Sequence, residues 1–237
     1  LAPPAARGDD WPQWMGPQRD NEWREQGILE TFPAGGPKVL WRAPVKGGYA
    51  GPAVAGGKVF VTDFAPDADL PGDNFDRKTA RGTERVLCLD EATGKVLWRF
   101  SYSGFQDPRY PGSRSTPTVD GKVVYVYGQH GGLYCLECET GKVIWQKLMV
   151  QDLGAQNVTY GYAASPLVVG DMVLVPARIL KDMMPKDSKV KPESNALLLA
   201  FNKSTGAEVW RMYHESFHLG GGYYACPTAC IINGKPC

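Results

Sequence analysis

The chain has 237 residues, 43% hydrophobic and 11% aromatic, which is enough apolar material for a sizeable core and too much for a disordered chain. Its 26 Lys and Arg against 25 Asp and Glu leave a formal net charge of +1 with no basic stripe, so electrostatics give no case for nucleic acid or an anionic membrane. No apolar stretch approaches the roughly 20 residues that a membrane helix needs, and 28 Gly with 19 Pro between short apolar runs favour many short strands joined by tight turns.

In chain order, Leu1 to Arg7 (Leu-Ala-Pro-Pro-Ala-Ala-Arg) precedes the first aromatic cluster and reads as the remnant of a processed export signal or its linker. The expected location is therefore periplasmic or otherwise extracytoplasmic. Residues 1–37 form an N-terminal extension and lead-in segment. From residue 38 onward a repeat takes over, opened by a degenerate copy, Gly36-Pro37-Lys38-Val39-Leu40-Trp41.

Two phrases then alternate. The first is Gly51-Pro52-Ala53-Val54 with Gly57-Lys58-Val59-Phe60-Val61. It returns at Thr116-Pro117-Thr118-Val119 with Gly121-Lys122, and at Ser165-Pro166-Leu167-Val168 with Gly170-Asp171. A last copy, Cys226-Pro227-Thr228-Ala229 with Gly234-Lys235, reaches the end of the chain. The second phrase is Asp90-Glu91-Ala92-Thr93-Gly94-Lys95-Val96-Leu97-Trp98, repeated from Glu137 to Trp145 and from Asn202 to Trp210.

Each unit reads as four strands. Pro-x-Val is a short first strand, with Pro tolerated near its start. The Gly-Lys or Gly-Asp pair turns into a second, β-rich strand. A third strand carries Val86 to Leu89, Leu133 to Leu136, or Leu197 to Phe201. Thr-Gly then turns into a fourth strand ending at Trp, with Gly supplying a positive φ. The apolar period is two and Gly or Pro interrupts every run, which excludes a helical solenoid. Four antiparallel strands per repeat make a β-propeller blade. The fold predicted is an all-β propeller with an entry strand around Trp41, blades at about 48–98, 112–145 and 161–210 and a partial blade at 222–237, incomplete over residues 38–237. An open stack leaves strand edges uncovered, so a piece of a longer propeller is expected.

Trp41, Trp98, Trp145 and Trp210 are read as structural docking residues at the seams between blades. Burying about 150–250 Å² at roughly 25 cal/mol/Å² contributes on the order of 4–6 kcal/mol per indole before entropy is subtracted. Inserts at about Ala65 to Thr83 and Leu180 to Ser194 lie between second and third strands and read as charged, Pro-rich surface loops. Cys88 and Cys135, at matching places in two repeats, read as small buried strand residues.

These residues resemble the PQQ-repeat, or quinoprotein-like, β-propeller family, whose tryptophan-docking motif has the form Asp-x-x-Thr-Gly-x-x-x-Trp. Asp90 to Trp98 matches it fully, while the later copies place Glu137 and Asn202 at its first position. Trp11-Pro12-Gln13-Trp14-Met15-Gly16-Pro17-Gln18-Arg19-Asp20 is similar to the opening segment of extracytoplasmic members. The resemblance implies the fold and not one chemistry, since the family includes both pyrroloquinoline quinone (PQQ) dehydrogenases and cofactor-free scaffolds.

A PQQ site implied by that resemblance needs an aromatic floor, an arginine and a Ca²⁺ held by oxygen ligands, on the axis where first strands begin. Tyr49, Arg114, Tyr162 and Tyr224 stand just ahead of the first strands and are the candidate cofactor-binding residues there. The sequence shows no Ca²⁺ trio and no catalytic residue. His214-Glu215-Ser216-Phe217-His218 matches the zinc pattern HExxH, but Gly220-Gly221-Gly222 argues against the helix it needs, leaving His214 and His218 as weak metal candidates. His130, in Gly128-Gln129-His130-Gly131-Gly132, reads as a turn residue.

The leading expectation is a non-enzymatic extracytoplasmic propeller, without cofactor, that binds a protein partner or a small ligand on its channel face. The alternative is a PQQ- and calcium-dependent alcohol or sugar dehydrogenase, and a remote third is a zinc hydrolase.

Overall fold

The computed structural model describes residues 8–70, 80–103, 109–179, 195–214, 224–232 and 235–236. Three four-stranded antiparallel sheets follow one another. The first blade comprises β1 (Ala53–Ala55), β2 (Lys58–Pro66), β3 (Gly82–Asp90) and β4 (Val96–Tyr102) in that spatial order. The second comprises β5 (Thr118–Asp120), β6 (Val123–Tyr127), β7 (Gly132–Glu137) and β8 (Val143–Leu148), and one helical turn, α1 (Met149–Leu153), follows it. The third comprises β9 (Leu167–Val169), β10 (Met172–Ile179), β11 (Asn195–Asn202) and β12 (Glu208–His214). A short hairpin, β13 (Ile231–Ile232) and β14 (Lys235–Pro236), ends the chain. The molecule is an incomplete propeller in which the inner strands β1, β5 and β9 are neighbours.

Alternation along each strand decides which seam a residue fills, because successive side chains point to opposite faces. On β3, Val86 and Cys88 face the second blade and meet Val124, Val126 and Leu136. Leu87 and Leu89 face the other way, toward Trp41 and Val59. Tyr125, Tyr127 and Cys135 of the second blade likewise meet Val173, Val175 and Phe201 of the third. Both faces of a blade are buried, so its two middle strands carry long apolar runs.

The Thr-Gly turns are built alike. Oδ1 of Asp90 accepts hydrogen bonds from the Thr93 amide at 2.8 Å and the Thr93 hydroxyl at 2.6 Å. Oδ1 of Asn202 does the same for Thr205 at 3.0 and 3.1 Å, and Glu137 accepts from the Thr140 hydroxyl. Only an acceptor is required there, which is why Asp, Glu and Asn interchange. Gly94, Gly141 and Gly206 follow at φ 69, 71 and 70°.

An indole from the preceding unit lies on each of these glycines. The ring nitrogen of Trp41 donates to the Glu91 carbonyl at 2.7 Å, Trp98 to Cys138 at 2.8 Å and Trp145 to Lys203 at 2.9 Å. A Cβ on Gly94, Gly141 or Gly206 would come within 2.4, 2.5 or 2.7 Å of that ring. Trp145 is 9% exposed, whereas Trp210, on the last full blade, is 37% exposed.

Four expectations are corrected. The fourth strands do not end at Trp. They run on to Tyr102, Leu148 and His214, because the third strand beside them is longer than its apolar core. Residues 38–42 carry the docking Trp41 but form no strand among the described residues. The Pro227 copy is likewise not a strand at 226–229, and the hairpin begins at Ile231. The first insert partly lengthens β2 and β3 into a longer hairpin, while residues 71–79 and 180–194 lie outside the described residues.

Candidate functional site

Residues 11–21 run along the inner strands of all three blades. Trp11 pairs with Val54 through two hydrogen bonds of 2.8 and 2.9 Å, and the Pro12 carbonyl accepts from the Val119 amide at 2.8 Å. Arg19, 5% exposed, donates to the carbonyls of Pro166 at 2.8 Å and Ser165 at 3.3 Å and to Oε1 of Gln13 at 3.0 Å. Met15, Arg19 and Asn21 hold φ of 62, 54 and 60°, so the segment kinks repeatedly as it crosses the blades. Gly16 is packed under the Trp11 ring, 2.8 Å from where a Cβ would stand.

This strap walls a cavity of about 480 Å³ together with the residues that lead into β1 and β5. Trp11, Gln13, Trp14 and Met15 line one side, and Tyr49, Gly51, Arg114 and Thr116 the other. The Arg114 guanidinium lies 4.8 Å from the Tyr49 ring centre and 6.0 Å from that of Tyr110, and donates to the Tyr110 carbonyl at 2.8 Å. Its Nε is buried without a hydrogen-bond partner. Tyr110 meets Tyr160 edge-on at 6.0 Å, Tyr160 meets Tyr224 at 6.0 Å, and the Arg109 guanidinium sits 5.0 Å over Tyr160. A row of rings and guanidinium groups thus passes from the first blade toward the chain's last hairpin.

The structure brings together Tyr49, Arg114 and, further along the row, Tyr224. It does not bring Tyr162. That ring is fully buried at the seam, 5.3 Å from Tyr127, with its hydroxyl donating to the Gln156 carbonyl at 2.7 Å. Gly161, at φ 74°, reverses the chain between the two tyrosines, so Tyr160 emerges where Tyr162 was expected. Tyr110, Arg109 and Tyr160 were missed because their distance from the Pro-x-Val strand differs between repeats. The signal available was the recurrence of Tyr just ahead of each first strand.

Beneath the row lies a buried polar cluster. Glu84, 2% exposed, accepts from the Ser113 hydroxyl at 2.8 Å and the Gln129 amide at 3.1 Å, and its Oε2 is 3.4 Å from Nδ1 of His130. Nε2 of His130 is 3.1 Å from the Tyr134 hydroxyl. Gln129 in turn donates to the Tyr160 carbonyl at 2.8 Å. His130 is therefore in the turn as expected, but buried and bonded rather than solvated. Asp63 receives Arg85 at 2.8 and 2.6 Å and the Lys46 amide at 2.7 Å.

His214 is the last residue of β12, a strand rather than the helix that HExxH requires, and Glu215 to His218 lie outside the described residues. Among the described residues no group of three or more His, Cys, Asp or Glu is placed to hold a metal ion. No described helix is long and apolar enough to cross a membrane.

Residues 82–221 match a family model described as outer membrane protein assembly factor BamB. BamB of Shewanella oneidensis (strain MR-1) is 26% identical over 186 residues, 73% of this chain and 36% of that protein. Quinohemoprotein alcohol dehydrogenase from Comamonas testosteroni superposes with a TM-score of 0.55 at 20% identity, covering 88% of this chain and 28% of that one. BamB from Moraxella catarrhalis matches 56% of this chain and 33% of its own at 20% identity and a TM-score of 0.36. The chain thus spans about a third of the relatives it matches. At that identity the dehydrogenase shows the propeller fold alone. With indole-capped Thr-Gly turns in successive four-stranded blades and a match across residues 82–221, the chain belongs to the BamB-like PQQ-repeat family.

Proposed function

We propose that this chain is part of an extracytoplasmic propeller that works as a protein-binding scaffold, in the manner its assembly-factor relative is named for. The observation that carries the reading is the Tyr–Arg row, a large aromatic surface with two guanidinium groups held by a rigid set of inner strands. Aromatic and Arg side chains are those that most often anchor protein interfaces. The hairpin of β2 and β3 meets the chain just ahead of Tyr49, where Phe64 pairs with Gly47 and Asp63 accepts from the Lys46 amide, and would widen the contact.

The dehydrogenase reading needs PQQ and calcium. Tyr49, Trp11 and Trp14 with Arg114 suit a planar anion, but among the described residues lining the cavity there is no Asp or Glu for a calcium ion. That donor set does not fit the metal.

The test is site-specific photo-crosslinking from Tyr160 in the full-length protein in its own cells, alongside reconstitution with PQQ and calcium and a dye-reduction assay over alcohols and aldoses. The expected result is a discrete crosslink to one protein and no turnover. Turnover with retained quinone absorbance, or no crosslink, overturns the scaffold reading.

A further inference from the structure

We infer that residues 38–42 are the outermost strand of the propeller's final blade, so that the ring closes by pairing this segment with three strands carried beyond residue 237. Lys38-Val39-Leu40-Trp41-Arg42 is identical to Lys95-Val96-Leu97-Trp98-Arg99, which runs into the outermost strand β4 of the first blade. The seats of the two indoles agree as well. Trp98 donates to the Cys138 carbonyl at 2.8 Å and lies on Gly141, one blade further along. Trp41 donates to the Glu91 carbonyl at 2.7 Å and lies on Gly94 of the first blade. Residues 38–42 therefore stand where the fourth strand of a blade ahead of the first would stand.

The other three strands of that blade are not beside it in the chain. In each described blade they come directly before the fourth strand. Residues 8–37 contain no strand beyond the single bridge of Trp11 to Val54, and residues 11–21 are committed to the strap. Val39 and Leu40 are 55% and 76% exposed, and among the described residues nothing pairs with them. A strand's amides and carbonyls are satisfied by a neighbouring strand, and these residues gain theirs when the final blade arrives. Each described four-stranded blade already has its fourth strand, so a second copy of these residues offers no three-stranded set to complete.

The two end faces carry the same message. The outward face of the first blade buries Val59, Leu87 and Leu89 but leaves Trp41, Ala43, Val54 and Val61 only partly covered. That of the third leaves Val169, Met172 and Leu198 partly covered and Trp210 37% exposed. A closed ring covers both faces with blades of the same kind, as the three seats of Trp41, Trp98 and Trp145 already do inside the chain. The relatives have the length for it, since this chain matches 36% of one and 28% of another.

The experiment uses the full-length protein with p-benzoylphenylalanine at the exposed position Leu40, together with hydrogen exchange of the unaltered protein read by mass spectrometry. The photo-crosslink should join residue 40 to the C-terminal part of the same polypeptide, and the product should run as one chain on a denaturing gel. Amides of residues 39–42 should exchange about a hundredfold or more slower than those of residues 28–36, at a rate like that of residues 96–99. A crosslinked dimer would assign the strands to another molecule. A crosslink confined to residues 1–237, or exchange at 39–42 as fast as at 28–36, would show that no blade closes on this segment. Each of these results overturns the inference and leaves the scaffold reading to the Tyr160 crosslinks.

Discussion

At Gly141 two constraints coincide. Its φ of 71° disfavours any side chain, and the Trp98 ring occupies the space a Cβ would take, 2.5 Å away. Gly141→Ala should cost about 1–3 kcal/mol in urea unfolding and shift Trp98 fluorescence as the ring is displaced. Trp145, buried and bonded to Lys203, should cost about 3–5 kcal/mol as Trp145→Ala. Trp210, more than a third exposed, supplies the internal control: Trp210→Ala should cost less than about 1 kcal/mol. Equal losses at the two positions would mean that seam docking is not what stabilises the indoles. The turn chemistry was legible from sequence because it is local, with an acceptor, a Thr and a Gly at fixed spacing. The burial of His130 was not, because Glu84 and Tyr134 come from different blades.

The strap is the element whose role is set by one side chain. Arg19 reaches the residues just ahead of the first strand of the third blade, and burial lowers its pKa, yet an arginine stays protonated in that setting. Arg19→Met keeps the apolar stem, removes the donor to the Ser165 carbonyl and leaves the Pro166 carbonyl with the Thr118 hydroxyl alone. A loss of about 2–3 kcal/mol is expected, with faster amide exchange confined to residues 11–21 and the inner strands β5 and β9. Exchange rising uniformly through the outer strands instead would show that the strap is not a separate brace. Strand order and pairing could be read from alternating phrases, but the strap's path could not. Its Trp and Pro residues resemble a generic lead-in, and only contacts across 146 and 147 residues show where Arg19 goes.

Across the whole molecule, the buried thiols report on folding. Burial pushes Cys88 and Cys138 up to about 12 and Cys135 to about 11. At neutral pH they stay protonated and shielded, while Cys230 is exposed and Cys226 half-exposed. Ellman's reagent should therefore react quickly with the latter and with Cys88, Cys135 and Cys138 only after denaturation. The sign of the linkage follows: the folded state holds these protons where the unfolded state has lost them, so stability falls as pH rises from about 9 toward 12. A urea midpoint that stays flat across that range would contradict the burial of these thiols.

Local pattern was enough for the blade: four strands, their turns and the indole at each seam are encoded within a single repeat, where period two and Gly spacing act at short range. Tertiary structure alone decided which aromatics face outward. Tyr160 and Tyr162 are equivalent in composition and two positions apart, yet Gly161 turns one into the seam and the other onto the surface. It also decided that Arg114 stacks on Tyr49 from another blade, because that contact depends on how neighbouring sheets are set against each other, which no local pattern records.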